Sequence, residues 1–215
     1  MIYGRQTTTL SPSLDGRRRK GAYARAPSDF YPTAAPLSEK LTDLEELGSR
    51  VWEPACGDGQ LAQVLVAAGV QVVATDLLAW GYGRPGVDFL KTRRLLAPVI
   101  VTNPPFSLWR EFALHALSLR PRLVILLGRV LLQEGAQIGE LFDRHLVRVW
   151  VSRRRVNLAP GDHVADMVDK GHNTKLAFAW YVLDLDKPAD RHGVWETRGF
   201  TPRLLPRSSR TSRLS

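Results

Sequence analysis

The sequence has a single cysteine, Cys56, among 215 residues. That excludes a disulfide framework and an ordinary four-cysteine zinc site, and it suits a reducing cytosol. The five histidines are scattered, and none falls in a metal-ligand spacing such as His-Glu-x-x-His, so no metal centre is expected. No apolar run approaches the ~20 residues that span a bilayer, so no membrane segment is expected. The stretch 1–28 is polar and arginine-rich, without the hydrophobic core of a secretory signal. A chain of this length accommodates one full α/β domain but not two of ordinary size.

Acid is scarce at both ends. Residues 1–28 hold six Lys and Arg against Asp15 alone, and residues 201–215 hold Arg203, Arg207, Arg210 and Arg213 against none. These tails, at +5 and +4, account for the whole formal charge of +9, so residues 29–200 are net neutral. The basic balance therefore does not indicate a cationic groove on the central domain. Both tails have few large apolar residues and are expected to be poorly ordered. They are either arms that track phosphates, with steep salt dependence, or solvated ends.

Against these absences stands Asn103-Pro104-Pro105-Phe106. It follows Val99-Ile100-Val101-Thr102, a β-branched run that predicts a buried strand. It precedes Ser107, a candidate N-cap for the amphipathic stretch 108–119. Such a tetrapeptide places polar groups at the carboxyl edge of a sheet, where open α/β folds bind ligands. Two prolines fix φ and supply no N–H, so their carbonyls and the Asn amide oxygen can act as acceptors. Those acceptors suit a planar exocyclic amine, with Phe106 stacked on its ring. Alone, the segment is equally a Pro-Pro turn that closes a strand.

Upstream, Val51-Trp52-Glu53-Pro54-Ala55-Cys56-Gly57-Asp58-Gly59 reads as a short strand entering a Gly-x-Gly turn. A helix over 60–68 follows, with Gly69 as its C′ stop. A second apolar strand from Val70 ends in Asp76. In such a unit, glycines allow close backbone approach to a ligand and the acid can hold ribose hydroxyls.

In these motifs the sequence resembles the class I S-adenosylmethionine-dependent methyltransferases, specifically the DNA adenine N6-methyltransferases of the compact phage and prophage type. The resemblance covers residues 29 to about 200. It implies a single Rossmann-like α/β domain: a seven-stranded, mostly parallel sheet with a final antiparallel strand and helices on both faces. It implies S-adenosyl-L-methionine as cofactor, DNA as partner and the bacterial host cytoplasm as location. Asn103, Pro104, Pro105 and Phe106 would be catalytic. The cofactor would lie against Tyr31, Pro32, Thr33, Glu53, Pro54, Ala55, Cys56, Gly57, Gly59, Asp76, Leu77, Asp88, Phe89 and Asn103. Asp88 would accept from the cofactor's adenine amine, with Phe89 against that ring. The family's proline directly after the threonine is replaced here by Ala34-Ala35-Pro36.

Strands are expected at 50–53, 70–76, 86–89, 99–102, 123–127, 147–151 and 176–183. Helices are expected at 37–47, with Ser38 as a possible cap, and at 60–68, 107–119 and 134–144. Alternation through residue 127 predicts a mostly parallel sheet. The connection 157–175 is far longer than a tight hairpin, which marks loops with a function or without order. Only 43 residues lie between Gly59 and Asn103, so no target-recognition domain fits there. That leaves the long loop, Trp80-Gly81-Tyr82-Gly83 and Arg153-Arg154-Arg155 to contact the target, or to serve as ordinary surface. Short or loose sequence specificity follows. Trp52, Trp150 and Trp180 are expected in the core, and Trp109 in the core or the pocket. His115 is expected to be a tolerated, partly buried group, and Cys56 a small residue in a turn. Gln133-Glu134-Gly135 could border the target pocket.

The tetrapeptide also serves enzymes that methylate guanine in RNA or glutamine in protein. Cytosine in DNA is a further candidate, although Ser in place of Asn is the more usual pattern there. A cofactor-binding module without transfer activity is the reading from a different class. Recognition sequence, strand preference and oligomeric state are not legible.

Overall fold

A computed structural model describes residues 32–33, 35–130, 132, 136–153, 177–191, 194 and 196–200. Tyr31, both basic tails, the 157–175 loop, Arg154, Arg155 and Gln133-Glu134-Gly135 lie outside the described residues. Seven strands form one sheet: β1 (Arg50–Glu53), β2 (Gln71–Ala74), β3 (Val99–Thr102), β4 (Leu123–Arg129), β5 (Leu146–Ser152), β6 (Phe178–Leu183) and β7 (Glu196–Phe200). Their order is β2-β1-β3-β4-β6-β5-β7. Only β6 runs antiparallel, inserted between β4 and β5; every other pairing is parallel.

Strand periodicity divides the core into two layers. Ile100, Val124, Leu126, Ala179, Tyr181 and Leu183 face one layer. Their neighbours Val99, Val101, Leu123, Ile125, Leu127, Phe178, Trp180 and Val182 face the other. Both faces of the central strands are buried, as a sheet covered on both sides requires. Helices α4 (Trp109–Ser118) and α5 (Ala136–His145) bury Trp109, Phe112 and Phe142 in the first layer. Helices α1 (Ala35–Ser38), α2 (Leu41–Leu44) and α3 (Gln60–Ala67) bury Leu37, Leu41, Leu61 and Leu65 in the second.

Helix α3 ends as expected at Gly69. The Val70 N–H reaches the Leu65 carbonyl at 3.0 Å and the Gly69 N–H reaches Val66 at 2.9 Å. This is a Schellman closure, with Gly69 at φ +86°. The buried tryptophans are core, and each indole N–H donates: Trp52 to Thr75 Oγ1, Trp109 to the Leu127 carbonyl, Trp150 to Glu45 and Trp180 to the Leu37 carbonyl. One expectation is corrected: the helix expected at 37–47 is two short helices, and the chain turns extended at Glu45 (φ −136°, ψ 140°). Ser38 does not cap; it lies inside α1, with its buried hydroxyl lacking a hydrogen-bond partner.

Two further expectations are corrected. Residues 86–89 are not a strand: Arg84 makes one isolated bridge to Thr75, and Phe89–Lys91 turns as a 3₁₀ helix. Pro85 has no N–H for a ladder and Gly86 sits at φ +76°, so pairing beside β2 cannot propagate. The seventh strand is instead β7, which extends the opposite edge. Ser107 is not the cap of α4 either. Phe106–Leu108 forms a 3₁₀ turn, and Leu108 precedes the helix without a side-chain cap.

Far from the strands' carboxyl ends, Glu45 fastens α2 to β5. Its carboxylate takes two bonds of 2.7 Å from Arg148 and one of 2.6 Å from Trp150 Nε1.

Candidate active site

The carboxyl ends of β1, β2 and β3 meet around a cleft of about 890 Å³, counting space open to solvent at its mouth. From β1 come Glu53, Pro54, Ala55 and Cys56; from β2, Asp76 and Leu77; from β3, Asn103, Pro104 and Pro105. Pro32 and Thr33 close one side, with Asp88 and Phe89 at the other. Of the site residues expected from sequence, Gly57, Gly59 and Phe106 are not in the lining. Lining residues that the sequence did not single out include Asp58, Gln60, Leu78 and Leu108, and Trp80, expected at the target, lines the cleft as well.

Backbone bonds fix Asp76. Its carboxylate accepts from Gly57 N at 2.9 Å and Leu78 N at 2.8 Å, and its main chain bonds to Arg84 and Val87. Thus the acid after β2 locks the glycine turn after β1 while remaining at the cleft wall. Gly57 is required by its left-handed φ of +53°. Gly59 answers to Tyr82: a Cβ there would lie 2.3 Å from the ring's Cγ. Glycine at 59 therefore seats an aromatic ring, in addition to φ +85°. Trp80 lines the cleft, while Tyr82 packs against the glycine turn.

The lining is acidic. Glu53, Asp58, Asp76 and Asp88 contribute four carboxyl groups, and no Lys or Arg among the described residues belongs to it. Glu53 is 1% exposed, and its Oε2 atom has no hydrogen-bond partner. Burial first, then the charges of Asp76 and Asp58, hold its pKa well above 4.5, against a hydrogen bond from the Ala62 backbone at the start of α3. The wall thus contains an unsatisfied buried acid that a cation would complete. Cys56 is buried and its thiol is pushed up to about 12 by desolvation, then by Glu53 and Asp76. It is inert as a nucleophile.

Asp88 caps the 3₁₀ turn. Its Oδ1 accepts from Leu90 N at 3.1 Å, and Oδ2 pairs with Lys91 at 2.8 Å. The Lys91 partnership is the largest cause lowering its pKa. Leu77 and Leu78 remain 59% and 47% exposed at the rim, an apolar edge suited to a flat ring.

In the tetrapeptide, the Pro105 carbonyl accepts from Leu108 N at 2.9 Å. Asn103 has an interaction through its other atoms, while its Oδ1 is buried and accepts no hydrogen bond. Phe106 turns from the cleft to stack on Phe178, with centroids 5.9 Å apart and planes at 26°. The Arg129 guanidinium lies 5.4 Å from the same ring centre. His115 bonds to Thr92 at 3.3 Å and meets Phe89 edge-on, a packed group away from the lining.

Among the described residues no group of His, Cys, Asp and Glu could hold a metal ion. Nor is any helix long and apolar enough to cross a membrane. No family model and no curated protein matches the chain. Solved structures share its fold. The 23S rRNA methyltransferase ErmE superposes with a TM-score of 0.51 at 12% identity, over 72% of this chain and 69% of its own. A type I restriction-modification methyltransferase subunit from Streptococcus thermophilus gives 0.49 at 12% identity, over 73% and 44%. A dimethyladenosine transferase from Plasmodium falciparum gives 0.44 at 16% identity, over 68% and 59%. The sheet is Rossmann-like, a fold the chain shares with a solved methyltransferase.

Proposed function

We propose that this chain is an S-adenosylmethionine-dependent methyltransferase acting on the exocyclic N6 amine of adenine in DNA. One observation carries the cofactor half of the reading: among the described residues, four carboxyl groups and no Lys or Arg line the cleft. A dinucleotide would bring phosphates into that wall at large electrostatic cost. A sulfonium donor with an α-ammonium group meets it favourably. Asp76 suits ribose hydroxyls, since each oxygen retains lone-pair capacity beyond its one backbone bond. Leu77 and Leu78 suit an adenine face, and Asp88 its amine. Glu53, which burial keeps protonated more readily than a free acid, would ionise toward the donor's cationic end. Bound there, the donor supplies an electrophilic methyl group.

Asn103 and Pro104 support the acceptor half. The adenine amine is a poor nucleophile because its lone pair is delocalised into the ring. Accepting its two hydrogens at Asn103 Oδ1 and the Pro104 carbonyl favours a pyramidal nitrogen and stabilises positive charge growing there. Asn103 and Pro104 would thereby hold the amine for the methyl group that the donor would supply, and the proton the amine sheds would pass to solvent. In duplex DNA the base would first leave the stack. RNA is the second reading, supported by the likeness to an rRNA methyltransferase.

Methyl-labelled donor offered with DNA, RNA and protein pools tests the assignment. Label in DNA, recovered after nucleoside digestion as N6-methyldeoxyadenosine, is expected. Label confined to RNA or protein would overturn the acceptor.

A further inference from the structure

We infer that Arg129 is a phosphate contact for the strand carrying the acceptor base, mounted on the aromatic residue of the Asn103–Phe106 segment; this rests on the proposed nucleic-acid acceptor. Arg129 is the last residue of β4, which lies beside β3 in the sheet. Its side chain therefore starts next to the tetrapeptide. Directly across the antiparallel ladder is Phe178, and opposed residues project from the same face. Phe106 packs against both members of this pair, 5.9 Å from the Phe178 ring and 5.4 Å from the guanidinium carbon. The pair thus forms a platform that fixes Phe106 and holds a cation beside it.

Three other arginines show what a structural pairing looks like here. Arg148 is bound to Glu45, Arg144 to Glu140 and Arg198 to Glu196. Arg129 is exposed and has no carboxylate partner among the described residues. A ring beneath a guanidinium orients it without neutralising it. Nor does Arg129 belong to the acidic lining of the cleft, so it is not the counter-ion of those carboxyl groups. A planar, permanently charged fork at the acceptor side matches the geometry of a phosphodiester. The phosphate is common to DNA and RNA, so the experiment separates them.

Fluorescence anisotropy would use the full chain with labelled single-stranded DNA, duplex DNA and RNA between 50 and 200 mM KCl, on the order of conditions where counterion release is resolved. Arg129→Gln is expected to weaken binding about fivefold to tenfold and to reduce the slope of log K against log salt by about one, irrespective of sequence. Arg129→Lys should retain the slope, since it keeps the charge. The tails contribute equally in all variants, and donor binding by calorimetry should agree within about twofold. An unchanged slope in Arg129→Gln, with nucleic acid still bound and methylated, would overturn this inference alone. Absence of binding to every nucleic acid would overturn it together with the proposed acceptor.

Discussion

The two halves of the cleft are built from opposite materials. At the ends of β1 and β2 the wall is carboxylate: Glu53, Asp58 and Asp76 are held by short turns and backbone bonds. At the end of β3 it is Asn103, Pro104 and Pro105, and just beyond the lining Phe106 and one guanidinium stand on a cross-strand pair of β4 and β6. The first half is suited to a small cationic donor that must be bound and oriented. The second is suited to a flat, weakly nucleophilic acceptor attached to a polyanion. A site for one ligand would not need both signs of charge a few side chains apart. The contrast predicts that damage to one half should leave the other's binding intact.

Asn103→Ala should break that symmetry most severely. Methyl transfer is expected to fall by about 10²–10³-fold, with donor affinity nearly unchanged, because an oriented acceptor is lost only at the reacting nitrogen. Parallel loss of donor binding and turnover would show that Asn103 belongs to the cofactor half. Gly59→Ala strikes the other side through Tyr82 and the left-handed backbone. It should destabilise the fold by about 1–3 kcal/mol in chemical denaturation. Adding Tyr82→Ala should recover part of that loss, and strict additivity would exclude the clash as its cause.

Removing Glu45 tests whether the halves depend on the remote anchor. Glu45→Ala leaves the half-buried Arg148 without its carboxylate, and a loss of about 2 kcal/mol is expected. Donor affinity in the folded fraction should be unaffected.

Glu53 sharpens the comparison through pH. Its folded pKa is raised, so the native state holds a proton that the unfolded chain has released. Stability of the unliganded protein should therefore fall as pH rises from about 4.5 through the folded value. Donor affinity should rise over the same window, because the cation favours the ionised acid. Glu53→Gln should flatten both profiles; retention of the slopes would assign them to another group. The smallest effect is expected at Cys56. With a thiol at about 12, it should resist Ellman's reagent at pH 8 while folded, and rapid labelling would contradict its burial.

The β1–β2 side of the cleft was largely legible as a strand-turn-helix-strand unit because its constraints are local. Gly57, Gly59, Gly69 and Asp76 each act within one βα unit, where turn chemistry and periodicity appear in adjacent residues. The missing third strand shows the limit of that logic: Val87 and Phe89 suggested a strand, while Pro85 and Gly86 denied it a ladder. The Gly59–Tyr82 contact joins segments whose packing no short window shows. The acceptor half depended on register. Arg129 meets Phe178 only because β6 enters the sheet antiparallel beside β4, a long-range pairing that composition does not encode. Phe106 was expected over the target ring, and the structure stacks it on Phe178 instead. Whether it also flanks an acceptor base belongs with the proposed chemistry.

Isothermal titration of the purified chain with S-adenosylmethionine, beside a nicotinamide dinucleotide, tests the contrast at its root. Saturable binding of the sulfonium compound, with none of the phosphate-bearing one, is the predicted result. Binding of the dinucleotide in its place would contradict the assignment of the acidic wall to a cationic donor.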